Sequence, residues 1–269
     1  MHVTNLTKTR FLFFIGALAA ILTLLNQPSW ATESTGDADT LLTQANTLYS
    51  QRDNPAKALE AAELYRKAIA LDPDNEQAML GLVQSLCWVG AVGHAKNERA
   101  LYKEAIEVTD KAVQKWPDRP GPLYWRAAAR GMLTTCTNKV HALALVDEIK
   151  SDMKKLLAMD PNYQGGGAYR VLGRVYTQVP RVLGGDRAKA EQYLRQAINM
   201  APWFLINQLY LADLWVKEER FDEARNILVQ VKSAGVRKGF EPEGKQWKAE
   251  ASKLLIKIDE QQPKSSRDS

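Results

Sequence analysis

The sequence predicts an all-α protein, an α-solenoid of about five tetratricopeptide-like helical hairpins with a C-terminal capping helix. Three observations lead to this fold class. A small-large-small set of side chains recurs four times at one spacing. Each set is followed by a proline, at which a helix cannot continue. With 269 residues of which 45% are hydrophobic, the chain also has enough apolar material for a continuous core.

The recurring set defines the second helix of each predicted hairpin. Its four copies are Ala61, Tyr65, Ala68, Pro73; Ala105, Thr109, Ala112, Pro117; Ile149, Met153, Leu156, Pro161; and Ala190, Leu194, Ala197, Pro202. A fifth hairpin follows, with Leu211, Ala212 and Trp215 before a short link and Ala224, Leu228 and Val231 after it. Small residues let two antiparallel helices approach and larger ones fill the space between them, which is the tetratricopeptide pattern.

Residues 1–31 are expected to be an export signal. Lys8 and Arg10 precede an apolar run over residues 11–25, and Ser29 and Ala31 supply the small residues that favour cleavage after Ala31. An uncleaved membrane anchor is the alternative, although this run is shorter than the ~20 residues that a spanning helix needs. We expect a periplasmic protein without a lipid anchor, because no cysteine follows the apolar run.

Residues 32–40 are polar, which predicts a flexible lead-in to a helical array over residues 41–260. The four prolines are 44, 44 and 41 residues apart, compared with 34 in the plain repeat. We assign the extra residues to links between paired helices, within residues 90–99, 134–142 and 177–189. A HEAT-like array is the alternative for such a period, but that class lacks the proline-terminated signature.

The C-terminal part of the array is expected to be a cap. An amphipathic pattern over residues 243–259 follows Gly235 and Gly239, and a terminal repeat needs such a helix to cover its apolar face. The polar residues 261–269 are predicted to be a disordered tail.

Composition excludes several function classes. The net charge of +5 falls to +3 without Lys8 and Arg10, which is too small an excess to indicate nucleic-acid binding. The sequence contains three histidines and shows no metal-binding or nucleophile motif. We therefore expect no catalytic residue, no metal and no cofactor, and the protein is not expected to be an enzyme.

Four arginines are predicted to line the concave face, which the first helices of such hairpins form. Counting from Ala128 and Ala129 in one hairpin and from Leu172 and Gly173 in the next places them there, namely Arg126, Arg130, Arg170 and Arg174. Guanidinium groups bind carboxylates through two parallel hydrogen bonds, so the groove suits an acidic peptide, a chain terminus or the head of an amphiphile. The alternative is that acids such as Asp147 and Asp213 pair with them.

Three tyrosines flank these arginines: Tyr169, Tyr176 and Tyr210. A pocket with aromatic walls and a basic mouth fits a carboxylated small molecule with an apolar body. The alternative is that these rings pack in the core, where aromatic residues at helical spacing usually lie.

Cys87 and Cys136 are the two cysteines of the chain. They fall near the ends of first helices in neighbouring hairpins, and an exported protein can hold a disulfide. The sequence leaves open a Cys87–Cys136 bridge or two buried free thiols.

One segment carries a resemblance to a known family. It contains residues 165–176, then Pro180, residues 183–186, Lys189 with Ala190, and residues 207–212. These motifs resemble the T component of tripartite ATP-independent periplasmic (TRAP) transporters, with the greatest similarity over residues 147–231. The resemblance implies a periplasmic helical scaffold with an apolar channel, which binds the solute-binding P component and passes a hydrophobic ligand to it.

An exported tetratricopeptide scaffold that assembles envelope proteins without a small-molecule ligand is the alternative function. An apolar tunnel through the array favours the first function, and a solid core with an external groove favours the second. Because repeat proteins bind through exposed faces, a homo-oligomer is compatible with either.

Overall fold

The computed structural model describes residues 29–92 and 97–262. These residues form eleven α-helices and two short 3-10 turns, and they contain no strand. The hairpins are α1 (Ser29–Tyr49) with α2 (Pro55–Leu71), α3 (Glu76–Val92) with α4 (Glu98–Lys115), α5 (Pro120–Leu133) with α6 (Lys139–Met159), α7 (Tyr163–Gln178) with α8 (Arg187–Met200), and α9 (Leu205–Lys217) with α10 (Phe221–Ser233), followed by α11 (Glu241–Gln261). The predicted all-α solenoid of about five hairpins with a C-terminal helix is confirmed.

The repeated set of residues forms the centre of each hairpin. All twelve of its non-proline side chains are at most 1% exposed. Gly173 shows why a small residue is needed opposite this set, because a Cβ atom built there would lie 2.6 Å from Cγ of Leu194. The spacing read from the sequence therefore reports a real close approach of paired helices.

The helices form two layers. Consecutive first helices contact each other along the array, as α3 contacts α5, α5 contacts α7 and α9 contacts α11, whereas second helices pack mainly against the first helices beside them. The first helices are therefore the inner, concave layer, and the second helices are the outer layer.

The long repeat period arises inside the central hairpins. The first and last hairpins have short links, from Ser50 to Asn54 and from Glu218 to Arg220. In the fourth hairpin the link is longer, over residues 179–186, and contains the 3-10 turn Arg181–Leu183. In the third hairpin the link contains the 3-10 turn Thr134–Cys136 but is no longer than that of the first hairpin, and the 21-residue helix α6 supplies the extra length. Both turns lie within the intervals that the sequence predicts for the additional residues.

Residues 32–40, predicted to be a lead-in, belong to α1, which begins at Ser29. Ala38, within this segment, is 1% exposed. The hydroxyls of Thr40 and Thr43 each donate to the carbonyl four residues earlier, so polar side chains are accommodated within the helix. The polar composition of residues 32–40 therefore predicts a start of the helical array that lies later in the chain than the start of α1.

The final helix is longer than the amphipathic pattern indicates and packs as a cap. Ala251, Leu254 and Ile258 are buried against the last hairpin. Residues 1–28, and with them most of the expected export signal, lie outside the described residues, as does the tail from residue 263. Across the described part of the chain, the helices are too short or too polar to cross a bilayer.

Candidate functional site

Arg126 and Arg130 lie within an ion-pair network between α5 and the outer helices. Arg126 donates from Nε and Nη2 to both carboxylate oxygens of Asp152, at 2.9 and 2.6 Å, and Arg130 donates to the same carboxylate at 2.9 Å. Both arginines also reach Asp110 on α4. Asp152, on α6, is 2% exposed, so this network ties α5 to α4 and α6 rather than facing a groove.

The position of these two arginines differs from the predicted concave one. Of the two residues used for the count, Ala129 is 0% exposed and Ala128 is partly buried. The carboxylates of Asp152 and Asp110, on the neighbouring second helices, hold both guanidinium groups. The two side chains are therefore directed towards the second helices.

Arg170 is buried at the junction of three first helices. It is 4% exposed and donates to the Tyr124 hydroxyl at 2.7 Å, to Asn207 Oδ1 at 3.1 Å and to the carbonyl of Gln164 at 3.2 Å. Its guanidinium carbon lies 4.6 Å from the centroid of the Phe204 ring. Because Tyr124 is on α5 and Asn207 is on α9, Arg170 connects three consecutive hairpins.

The glycine-rich start of α7 supplies part of this arginine site. Gln164, Gly165 and Gly166 all have left-handed backbone angles, with φ of 51°, 59° and 74°. Glycine adopts this region without the cost that a Cβ atom imposes. The resulting turn directs the Gln164 and Gly165 carbonyls towards Arg170, which gives the three consecutive glycines at residues 165–167 a structural role.

Arg174 and Tyr210 lie on the inner layer, between α7 and α9. Arg174 pairs with Asp213 and lies over the Tyr210 ring, 4.7 Å from its centroid. Lys217 Nζ lies 2.8 Å from Gln178 Oε1 and 3.4 Å from Asp213 Oδ2. We call Arg174, Gln178, Tyr210, Asp213 and Lys217 the inner patch.

The inner patch has a net positive charge, since two cations share one carboxylate. Burial lowers the pKa of Lys217 and nearby Arg174 lowers it further, while the carboxylate of Asp213 acts in the opposite direction. An additional carboxylate at this position would be attracted by both cations.

The Arg174–Asp213 pair is the ion-pairing alternative that the sequence leaves open. Gln178 and Lys217 were not identified from the sequence. The feature that could have indicated them is their position four residues after Arg174 and Asp213, since residues so spaced are neighbours on a helix surface.

Tyr169 and Tyr176 pack between α7 and α8 rather than in a pocket. Both are half-buried, and their ring centroids lie 6.1 and 5.8 Å from that of Tyr193. Lys150 and Lys189 lie over the Tyr176 ring. Of the seven predicted site residues, the structure therefore brings only Arg174 and Tyr210 together on an inner surface.

Two clefts open at the surface of the described residues. One, of about 260 Å³, lies beside α2, α3 and α4 and includes Arg66, Met79 and Glu104. The other, of about 430 Å³, lies beside Val216 and Lys257. Neither is lined by any of the seven predicted residues, so the predicted pocket with aromatic walls and a basic mouth is not found at either cleft.

Both cysteines are free thiols, so the considered Cys87–Cys136 bridge is not formed. Cys87 is 2% exposed within the core of the first two hairpins, whereas Cys136 packs at the edge of the next core. Burial raises the pKa of Cys87 to about 12. Since the thiolate is the reactive form, Cys87 is protected twice, by its burial and by its protonation.

A thiol reagent at pH 8 is therefore expected to modify Cys136 in the folded protein and to spare Cys87. After denaturation without reductant, two thiols per chain are expected. A Cys136→Ser variant is the control, and it should lose the folded-state reaction. A count of zero thiols in the denatured protein would show that a bridge exists.

The sequence model described as TRAP transporter T-component matches residues 88–224, which is more than half of the chain. No curated protein matches the sequence.

Solved structures are similar in fold. A thermophilic TPR protein of Thermus thermophilus superposes with a TM-score of 0.62 at 19% identity, covering 81% of this chain and 99% of that one. PilF of Pseudomonas aeruginosa superposes with a TM-score of 0.52 at 18% identity, covering 86% of this chain and 95% of that one. At such identities these likenesses establish the helical-repeat fold alone.

Proposed function

This chain belongs to the TRAP transporter T-component family, and we propose that it acts in the periplasm as the helical-repeat component that docks the solute-binding P component. The family and the fold make it a TRAP-associated helical-repeat protein. The export-signal pattern of residues 1–31 supports the compartment. Docking is a binding function, and it requires an accessible surface rather than a reactive group.

The inner patch is the observation that carries this proposal. It lies on the concave layer, which is the surface that helical-repeat proteins use for binding. Side chains of Arg174 and Lys217 are 37% and 28% exposed, so a partner can reach both cations. Their excess positive charge favours an acidic segment of the P component.

We propose docking rather than passage of a ligand through the chain as the principal function. The buried apolar side chains of the described residues pack mainly into three clusters, and the two clefts described above lie at the surface. A hydrophobic or carboxylated small molecule would then be handled by the P component, with this chain as its platform.

Reversal of the inner-patch charge is expected to weaken docking. Calorimetric titration of the purified P component into the double variant Arg174→Glu, Lys217→Glu should show an affinity reduced by about tenfold or more, because like charges would face each other. The matched control is Lys57→Glu, Arg66→Glu on α2, whose side chains are 34% and 31% exposed. This control should bind within about twofold of wild type.

Two outcomes would contradict the proposal. One is an absence of binding by the wild-type chain, which would remove docking altogether. The other is an equal loss of affinity in the inner-patch and control variants, which would show that the inner patch is not the docking surface.

A further inference from the structure

The two ends of the array contact each other. Arg52, in the link between α1 and α2, forms an ion pair with Glu243 in the first turn of α11, 191 positions later in the sequence. In an open helical-repeat array, each repeat contacts only the repeats next to it. A contact between the first hairpin and the last helix therefore needs a separate explanation.

The contact is built around a single buried guanidinium. Arg52 donates from Nε and Nη2 to the two carboxylate oxygens of Glu243, at 2.8 and 2.6 Å, and from Nη2 to the carbonyl of Gly239 at 2.6 Å. Its side chain is 9% exposed, and that of Glu243 is 20% exposed. This is the bidentate geometry in which arginine binds carboxylates most strongly.

Aromatic rings hold Arg52 in place on the side of the first two hairpins. Its guanidinium carbon lies 5.0 Å from the centroid of the Tyr49 ring and 5.7 Å from that of Trp88. The indole N–H of Trp88, on α3, donates to the carbonyl of Arg52. These contacts hold both the backbone and the side chain of Arg52 through residues of the first two hairpins, independently of α11.

The opposite side of the contact is shaped by an unusual link. Residues 234–240 connect α10 to α11 and form the longest link between successive hairpins in the described chain. Gly239 has φ of 89°, a left-handed conformation that glycine favours, and its N–H donates to Glu241 Oε2 at 2.8 Å. The link is thus held in a shape that presents the Gly239 carbonyl to Arg52.

We propose that Arg52 is a latch that closes the array into a single turn and thereby fixes the curvature of the inner layer. Both partners lose solvent in this contact, so its removal leaves a buried charge without a counterion, which is costly. The inference rests on the contacts between the two ends and does not depend on the docking proposal.

The latch is tested on the purified protein without any partner, by small-angle X-ray scattering and amide hydrogen exchange. Arg52→Met and Glu243→Ala should each increase the radius of gyration and the maximum dimension. They should also accelerate amide exchange over residues 239–244 by about tenfold or more. The matched control is Glu104→Ala, which removes the Arg66–Glu104 pair between neighbouring hairpins and should change neither quantity.

Unchanged dimensions and unchanged exchange in folded Arg52→Met and Glu243→Ala would overturn the latch, as would an equal expansion of Glu104→Ala. If Arg52→Met does not fold, Glu243→Ala decides alone, because alanine is well tolerated in a helix. Failure of docking in the calorimetric experiment leaves these measurements unaffected, so the two proposals are tested separately.

Discussion

Replacement of Asp152 by alanine is expected to lower the free energy of unfolding by about 3–5 kcal/mol, the cost of leaving buried charges without their partner. Asp152 is 2% exposed and accepts hydrogen bonds from both Arg126 and Arg130. Without it, two largely buried cations would retain mainly the half-exposed carboxylates of Asp110 and Glu148. Urea unfolding followed by circular dichroism measures the change.

Asp110→Ala is the matched control for that variant. Asp110 contacts the same two arginines, but its side chain is 42% exposed, so water replaces part of the lost interaction. We expect a loss of about 1 kcal/mol or less. Similar losses in the two variants would contradict a buried network centred on Asp152.

Replacement of Arg170 by methionine is expected to destabilise the protein by about 3–4 kcal/mol. Methionine fills a similar volume but leaves Tyr124, Asn207 and the Gln164 carbonyl without their common donor. Hydrogen bonds to charged groups are the stronger ones, and unsatisfied buried partners add to the cost. The same unfolding measurement applies.

Arg174→Met, one helical turn further along α7, provides the comparison. Arg174 is 37% exposed and pairs with Asp213 at the surface of the inner patch, so a loss below about 1 kcal/mol is expected. An Arg170→Met variant as stable as Arg174→Met would show that Arg170 does not connect the three hairpins.

The sequence predicted the fold better than it predicted the site. The small-large-small sets reflect contacts inside one hairpin, where the spacing of residues along the chain determines which side chains meet. The sets therefore predicted the hairpins correctly. The inner face depends on how each helix is rotated. The count from Leu172 and Gly173 places Arg174 on the inner surface, but Arg170 is buried. The same count in α5 gives Arg126 and Arg130, which are held by Asp152 on the second helix of that hairpin, a partner that local spacing does not reveal.

The roles of Arg170 and Arg52 could not be read from local patterns. Arg170 is held by residues of two other hairpins, and Arg52 is held by residues near the opposite end of the chain. Such contacts depend on the curvature of the whole array, which is the sum of many small rotations between repeats.

The most direct test of the docking account is the hydrogen-exchange footprint of the P component on this chain. The account predicts slower exchange on the first helices around the inner patch, in α7 and α9, while the outer helices α2 and α4 keep their free exchange rates. Protection confined to the outer helices, or no protection at saturating P component, would contradict it.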